Sequence, residues 1–496
     1  MSLVIKSHGH GPANPVRRLE KKAIRTPVVP SSPAATHNEV AFQTADGPEL
    51  RAKLARLTRH VVTFEAAQLA ATLQTSEVLS SFKITMDNRV IYLGRAVVSN
   101  IIHTGESLLC EAKLDDLGPD TAYFLPAPGY EASPQAAYQN FFQNWQKNYR
   151  ISAEFKVLVA DVQSYLTGVR RWLEGLEFGL NPQGDKAKLE HAIMAAVAPK
   201  IIAAFNGQHE RFEEIICALP PEARGAHQDF VRQHWHKLFL GAPFADRTYH
   251  KPNGYAGDYE MMNMIHRNQP EGRSLYEKLI HLLLVSQWPA KSVRNRIAHL
   301  GEILVNETAR AARAGKTARI LNVGCGPARE VQDFLQQTHL SNQAEFTLVD
   351  FNEETLAYAA QQLVAVKRQC SRHTPIRTQQ ISVYELLKRT QRRNDDAEKS
   401  DLIYCAGLFD YLAPQTCHAL IDLWYDSLSP GGLMVIANMN DTKPFRNFIE
   451  FILDWQLIYR DSREILSLVP ERCREATDVI AEPTSVNLFL HIRKPD

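Results

Sequence analysis

The sequence predicts a multidomain chain with a small N-terminal β-barrel, a helical middle region and a C-terminal α/β domain. The length of 496 residues is enough for about three domains. Short β-type runs are concentrated between residues 48 and 122, and residues 135–312 carry apolar side chains at helical spacing. From Ala318 onward, strand-like and helix-like segments alternate, as in a parallel sheet flanked by helices. We therefore divide the chain at 1–45, 46–125, 126–312 and 313–496.

Composition and charge exclude several classes of protein. Lys and Arg number 56 against 55 Asp and Glu, a formal net charge of +1, so no overall field attracts the chain to nucleic acid. No apolar stretch approaches the roughly 18 residues that a membrane span needs. The seven cysteines are scattered and form no CxxC pair, so we predict no metal site and expect a cytoplasmic protein. Residues 1–45 are basic and rich in proline, which predicts a disordered arm.

The β-rich region has the strands and turns of a small barrel. Asp87 and Asn88 supply turn chemistry between two strand-like runs. The strand-like runs of this region, including the two on either side of this turn, are 61–64, 82–85, 90–93 and 96–98.

Two features of this region resemble a PilZ domain, a barrel that often binds cyclic di-GMP. Arg56 and Arg59 loosely imitate the arginine pair of these receptors, and residues 100–105 follow their second motif. Ile102 replaces the serine of that motif, so a hydrogen bond to the ligand is lost. We therefore favour a structural or partner-docking barrel over a weak cyclic di-GMP site.

A turn with two glycines follows the first strand of the C-terminal region. Residues 319–323 are predicted to form a buried strand, and Gly324 and Gly326 precede a predicted helix. Glycines let the backbone pass close to a ligand, and the free N–H groups of the helix start face the same cleft. Asp350 ends the next strand, where a carboxylate can accept hydrogen bonds from both ribose hydroxyls of an adenosine. Arg329 replaces the third glycine of a dinucleotide site, which favours a cofactor without a pyrophosphate.

Two more segments complete this pattern: residues 401–412 form a strand entering a loop, and residues 428–437 form a turn entering a strand. In this order, the segments of residues 316–496 resemble class I S-adenosylmethionine-dependent methyltransferases. The resemblance implies a Rossmann-like, seven-stranded sheet with S-adenosylmethionine as cofactor. The alternative is a flavodoxin-like or Rossmann domain without a cofactor. The cofactor-binding residues implied by the resemblance are Asn322, Gly324, Cys325, Gly326, Asp350, Phe351, Asn352, Ser382, Val383, Cys405, Ala406 and Gly407.

Asn322 departs from the family pattern, which often has an acid at this position. An asparagine still accepts a hydrogen bond from the cofactor's ammonium, but with less charge stabilisation. We therefore expect a modest cofactor affinity.

A loop over residues 247–262 combines glycine, aromatic and charged residues. Tyr255, Asp258 and Tyr259 have the chemistry to close over a sulfonium by cation–π, hydrogen-bond and charge contacts. We predict Tyr255 and Asp258 as catalytic residues, with His250 as the candidate base. The alternative is an ordinary capped turn between two helices.

Residues 251–260, 326–330 and 454–460 extend the resemblance over residues 135–496. They resemble a bacterial methyltransferase family whose named members make 3-hydroxy fatty acid methyl esters as quorum signals. This implies that the acceptor is the carboxylate of a fatty or other small organic acid. N- or O-methylation of another metabolite, and a non-catalytic regulator that senses S-adenosylmethionine or cyclic di-GMP, are the alternatives. The predicted acceptor-binding residues are Arg247, Lys251, Tyr259, Lys443 and Arg446.

Overall fold

The computed structural model describes residues 38–43, 49–58, 60–67, 73–74, 76–86, 89–103, 107–114, 138–139, 142, 151–179, 185–390 and 399–496. The N-terminal part of this structure is a closed, antiparallel six-stranded barrel with the order β1-β2-β3-β6-β5-β4. Its strands are β1 (Glu39–Gln43), β2 (Glu49–Leu57), β3 (Val61–Ala67), β4 (Val78–Met86), β5 (Arg89–His103) and β6 (Ser107–Leu114).

Three phenylalanines fill the barrel core. The ring centroids of Phe42, Phe64 and Phe82 lie 5.2 to 5.8 Å from one another. Val40 and Phe42 of β1 are both buried in this core, so the barrel begins at Glu39 rather than at residue 46. The rest of the predicted arm, residues 1–37 and 44–45, lies outside the described residues.

Strand β5 is one continuous element, although the sequence predicts two strands at 90–93 and 96–98. It pairs with β4 on one side and β6 on the other, and both pairings contain shifts of register. Arg59, Thr104 and Gly105 of the predicted cyclic di-GMP motif lie outside the described residues, so binding of this ligand stays a prediction.

The middle region is helical, as predicted. Trp235 and Phe239 belong to its core, and the phenylalanines of α2 and α3 pack against Phe448 from the C-terminal region. The helices are α1 (Ala153–Phe178), α2 (Lys186–Cys217), α3 (Pro221–Phe239), α4 (Pro243–His250), α5 (Tyr259–Arg267), α6 (Leu275–Val285) and α7 (Trp288–Arg313). None of the helices within the described ranges is long and apolar enough to cross a membrane.

The C-terminal region contains the predicted seven-stranded sheet, with the order β12-β13-β11-β10-β7-β8-β9. Strand β13 runs antiparallel to both of its neighbours, and the other pairings are parallel. The elements are β7 (Ala318–Val323), α8 (Arg329–Gln337), β8 (Ala344–Asp350), α9 (Glu353–Gln369), β9 (Ile376–Gln380), α10 (Val383–Thr390), β10 (Ser400–Cys405), α11 (Pro414–Ser427), β11 (Leu428–Met439), α12 (Arg446–Ile452), α13 (Ser462–Ser467), β12 (Thr477–Ala481) and β13 (Asn487–Arg493).

The chain order reverses direction at β7. Strands β8 and β9 extend the sheet on one side of β7, and β10 and β11 extend it on the other. Ligands of open α/β sheets bind in the crevice at the carboxyl ends of the strands on either side of such a reversal. The fold therefore places the expected ligand crevice at the carboxyl ends of β7, β8 and β10.

Candidate functional site

A cavity lies at the carboxyl ends of β7, β8 and β10. It encloses about 1380 Å³, including the open space at its mouth. One set of its lining residues follows these strands, and a second, mainly apolar set comes from helices α5 to α7 and α12. The loop of residues 255–257, between α4 and α5, also lines the cavity.

The glycine turn after β7 provides an open backbone surface in this cavity. Gly324 and Gly326 have positive φ angles of 67° and 52°, which favour glycine. A Cβ added to Gly326 would meet nothing within 4 Å, so the turn leaves room for a ligand. The turn is tied to β8, because the N–H groups of Gly324 and Cys325 both donate to the carbonyl oxygen of Val349.

Asp350 is held beside this turn at the end of β8. Its Oδ2 accepts a hydrogen bond from the Gly326 N–H at 3.1 Å, and its Oδ1 accepts one from the Asn352 N–H at 3.1 Å. The side chain is buried but reaches the cavity. The glycine turn and this carboxylate fit an adenosine whose ribose lies against Asp350.

Glu330, in the first turn of α8, brings a second carboxylate to the cavity. Its Oε1 accepts hydrogen bonds from Asn322 Nδ2 at 2.9 Å and from the Tyr404 hydroxyl at 2.8 Å. Burial raises the pKa of Glu330, and the bond from Tyr404 opposes that shift. Asn322 stands where the family pattern often has an acid. Glu330 of the following helix, α8, places a carboxylate directly beside it.

Arg296, on α7, is the buried cation of the cavity. Its side chain lies against Gly407, where an added Cβ would be 3.7 Å from Arg296 Nη2. The Nε atom has no hydrogen-bond partner, and no ion pair to Arg296 is found among the residues that the structure describes. Burial lowers its pKa, while the charges of Asp410 and Glu330 raise it.

Asp410 lies in the loop after β10 and is buried at the cavity. Its Oδ1 accepts a hydrogen bond from the Met439 N–H at 2.6 Å. Burial raises the pKa of Asp410 to about 6, although the Met439 bond and the charges of Arg296 and Arg460 act in the opposite direction. This carboxyl group therefore titrates close to neutral pH.

A pair of aromatic side chains joins the loop of residues 255–257 to the sheet. The Tyr411 hydroxyl donates to the carbonyl oxygen of Ala256 at 3.2 Å and accepts a bond from Trp455 Nε1 at 2.9 Å. A Cβ on Gly257 would lie 2.8 Å from the same hydroxyl, so the close approach requires glycine. The loop is therefore held in place at the cavity by Tyr411.

Residues 321–434, from β7 into β11, match the family described as a methyltransferase domain. The match contains the glycine turn, Asp350, Glu330 and Gly407. The match identifies this region as a methyltransferase domain. A comparison with curated proteins finds no match to the chain.

Several solved structures resemble the chain. A possible exported protein from Bordetella parapertussis is 15% identical, with 61% of this chain and 99% of the other covered and a TM-score of 0.40. The N-methyltransferase NodS from Bradyrhizobium japonicum WM9, in complex with S-adenosyl-L-homocysteine, is 17% identical, with 40% and 87% covered and a TM-score of 0.28. Magnesium protoporphyrin IX methyltransferase from Synechocystis PCC 6803 is 9% identical, with 54% and 99% covered and a TM-score of 0.31.

Many of the predicted site residues meet in the cavity of the methyltransferase domain. Tyr255 packs its ring against Phe351 at a centroid distance of 4.9 Å, and burial raises its pKa, so the hydroxyl stays protonated. The Tyr259 hydroxyl donates to Glu354 Oε1 at 2.7 Å, a bond that is the main cause of a pKa raised to about 12. The predicted residues that line the cavity are Tyr255, Tyr259, Asn322, Gly324, Cys325, Gly326, Asp350, Phe351, Ala406 and Gly407.

Asp258 and Arg247 bind each other instead of a ligand. Both carboxylate oxygens of Asp258 lie 2.8 Å from Arg247 Nε, and Oδ1 also accepts the Met261 N–H as the N-cap of α5. Arg247 also donates to Asn253 Oδ1 at 3.2 Å. Asp258 takes this place because the first turn of a helix offers unpaired N–H groups to a preceding aspartate. The catalytic role of Asp258 and the acceptor-binding role of Arg247 stay predictions.

The other predicted cations also lie outside the cavity lining. His250 is exposed at the end of α4, with its Nδ1 3.0 Å from Asp246 Oδ1, and a base at this position stays a prediction. Lys251 is buried, with its Nζ 3.6 Å from Asp454 Oδ2. Lys443 Nζ lies 5.5 Å from the centre of the Trp288 ring, and Arg446 pairs with Glu450 at 2.7 Å. Local partners thus account for all four side chains.

Four residues predicted to bind the cofactor support the walls of the site instead of lining the cavity. Asn352 is the N-cap of α9, accepting the Thr355 N–H at 2.9 Å. The Ser382 hydroxyl donates to Glu385 Oε2 at 3.1 Å. Val383 and Cys405 are buried in the core beneath the strand ends.

Sequence reasoning missed Glu330, Arg296 and Asp410. A signal for Arg296 exists, because it stands between Val293 and Leu300 on the buried stripe of α7, where an unpaired cation is unusual. Metal ligation is not indicated: no group of three or more His, Cys, Asp or Glu suited to an ion occurs in the described part of the chain. His227 and His234, seven residues apart on α3, each contact a backbone carbonyl oxygen one helical turn earlier.

Proposed function

We propose that the methyltransferase domain methylates the carboxylate of a small or fatty organic acid and releases a methyl ester. The observation that carries this proposal is the buried Arg296 guanidinium, whose Nε has no partner in the described structure. Guanidinium groups bind carboxylates through parallel, charge-assisted hydrogen bonds. A buried arginine that forms no ion pair with a described residue therefore favours an anionic acceptor.

The apolar part of the cavity supports an acceptor with a hydrocarbon portion. Side chains from the helices and from the segment after β11 contribute most of this surface, and burying an alkyl chain against it is favourable by about 0.8 kcal/mol for each methylene group. The residues concerned are Ile265, Leu284, Val293, Ile297, Met439, Phe445, Ile449, Leu453 and Leu457.

Ester formation makes few chemical demands on the protein. S-adenosylmethionine supplies a methyl group bound to a positively charged sulfur. A carboxylate oxygen of the acceptor forms the new C–O bond as the C–S bond breaks, and both charges are neutralised without moving a proton. Carboxylates are already ionised at neutral pH, so the cavity residues need only align the acceptor and exclude water. The histidine in the cavity lining, His266, is a weak base, because burial and nearby arginines lower its pKa to about 3. This is consistent with an acceptor that needs no deprotonation.

Asp410 supports a second candidate, N- or O-methylation of another metabolite. An amine or hydroxyl acceptor must lose a proton, and a cavity carboxyl with a pKa of about 6 suits a general base. The two candidates differ in pH dependence. Asp410-assisted transfer rises with pH through about 6 and is lost in Asp410→Asn, whereas carboxylate methylation persists in that variant.

The proposal is tested by substitution of Arg296. With straight-chain acids from butanoic to dodecanoic acid as acceptors, Arg296→Gln should raise the acceptor KM by about tenfold to a hundredfold, the value of a charged hydrogen bond. Its Kd for S-adenosylhomocysteine, measured by calorimetry, should not change. Arg310→Gln is the matched control, because Arg310 lies on the same helix and pairs with Glu307. Weakened S-adenosylhomocysteine binding in Arg296→Gln would assign the guanidinium to the cofactor and refute its role with the acceptor.

A further inference from the structure

The barrel contacts the catalytic cavity through Ser76, in the segment that leads into β4. Ser76 is fully buried, and its hydroxyl donates to the carbonyl oxygen of Gln456 at 2.9 Å and accepts the Gln456 N–H. The neighbours of Gln456, Trp455 and Leu457, both line the cavity. One side chain of the barrel thus satisfies both backbone groups of a residue in the cavity wall.

A second contact joins the barrel to the loop between α4 and α5. The Val78 N–H donates to the carbonyl oxygen of Gly254 at 2.6 Å, directly before the cavity residue Tyr255. Arg95 Nη2 donates to the carbonyl oxygen of His250 at 3.1 Å, at the start of the same loop. Gln74 of the barrel itself lines the cavity.

Buried ion pairs of Asp454 form a third contact between the barrel and the cavity segments. Its carboxylate lies 3.5 Å from Lys113 of the barrel, 2.7 Å from Arg232 of α3 and 3.6 Å from Lys251 of the loop. These cations hold the pKa of Asp454 well below its usual range, although burial acts to raise it. The ion cluster therefore holds together the barrel, the helical region and both cavity segments.

From these contacts we propose that the barrel is a working part of the acceptor site. It positions residues 251–258 and 453–457, which contribute Tyr255, Gly257, Leu453 and Trp455 to the cavity wall, and Ser76 is its main positioning residue. The barrel therefore acts on acceptor binding through these two segments. The part of this inference that concerns the acceptor rests on the proposed function.

Ser76→Gly and Ser80→Ala form a matched pair of variants for the test. Ser76 has a φ of 66°, which glycine adopts without strain, so Ser76→Gly removes the hydroxyl and keeps the backbone. The Ser80 hydroxyl lies on β4 and donates to the Gln43 carbonyl oxygen within the barrel, at 3.5 Å. Circular dichroism and thermal unfolding establish that both variants fold.

Hydrogen exchange is the first readout, because it needs no acceptor. Amide exchange in residues 251–258 and 453–457 should be about tenfold faster in Ser76→Gly than in Ser80→Ala, as expected when a buried hydrogen-bonding group loses its partner. Equal exchange in these segments in the two variants would overturn the proposal, whether or not any acid proves to be a substrate.

Kinetics with decanoic acid as acceptor are the second readout. Ser76→Gly should raise the acceptor KM by about tenfold relative to Ser80→Ala, a larger change than that in the Kd for S-adenosylhomocysteine. An equal loss of cofactor and acceptor binding would indicate general destabilisation and contradict a positioning role. If wild-type protein methylates no acid, the proposed function fails, and the exchange experiment still decides whether the barrel orders the cavity wall.

Discussion

Replacement of Glu330 by glutamine removes a negative charge from the cavity with little change in shape. Oε1 of Glu330 accepts hydrogen bonds from Asn322 and Tyr404, and the amide oxygen of glutamine can accept both. The variant should therefore fold. It should lose the charge assistance that a carboxylate gives to the ammonium group of the cofactor's amino acid portion.

The expected loss follows from the strengths of the two kinds of hydrogen bond. A bond to a charged group contributes about 1.5–3 kcal/mol and a neutral one about 0.5–1.5 kcal/mol, a difference of about 1.4 kcal/mol or tenfold in Kd. Calorimetry should give a tenfold weaker Kd for S-adenosylhomocysteine in Glu330→Gln. 5′-Methylthioadenosine, which lacks the amino acid portion, should bind both proteins equally. An unchanged Kd for S-adenosylhomocysteine, or an equal loss for both ligands, would refute the assignment.

Substitutions of Asp350 and Gly257 test two other parts of the site. Asp350→Ala should weaken S-adenosylhomocysteine binding by about a hundredfold in calorimetry, because several hydrogen bonds to one buried carboxylate are removed; unchanged affinity would contradict the ribose assignment. Gly257→Ala should reduce turnover and thermal stability, because the residue has a φ of 82° and its Cβ would lie 2.8 Å from the Tyr411 hydroxyl; a fully active variant would show that the loop moves freely.

Asp410→Asn tests the pKa of the buried carboxyl. Because folding raises that pKa from 3.8 to about 6, the stabilising effect of the protonated group is complete below pH 3.8 and is lost as the pH rises through 6. Urea unfolding should therefore show Asp410→Asn gaining stability relative to wild type between pH 4 and pH 8, by up to about 3 kcal/mol. A difference that does not vary with pH would refute the raised pKa.

The sheet and the cofactor side of the site were predictable because their signals are local in sequence. A buried strand, a glycine turn and a helix start are consecutive, and Asp350 follows the next strand directly. Regular alternation of strands and helices then fixes which strand ends meet. The same locality explains the N-cap of α5, because an aspartate directly before a helix start at Tyr259 is itself a signal for capping.

The acceptor side was not predictable in the same way, because its residues meet only in three dimensions. Arg296 comes from the helix before the sheet, and nothing near it in sequence indicates that its guanidinium reaches Gly407. The link from Ser76 to Gln456 joins residues 380 positions apart. His250 and Lys443 carry suitable chemistry, but partners on the surface hold them, and only the packed chain reveals those pairings.

The proposed methylation of a carboxylate is tested most directly by identifying the methylated product. Wild-type protein is incubated with S-adenosylmethionine carrying a carbon-13 label in its methyl group, together with decanoic acid and decylamine in equal amounts, and the products are analysed by NMR and mass spectrometry. We expect labelled methyl decanoate and no methylated amine. Labelled N-methyldecylamine without the ester would contradict the carboxylate assignment and favour the base chemistry of Asp410.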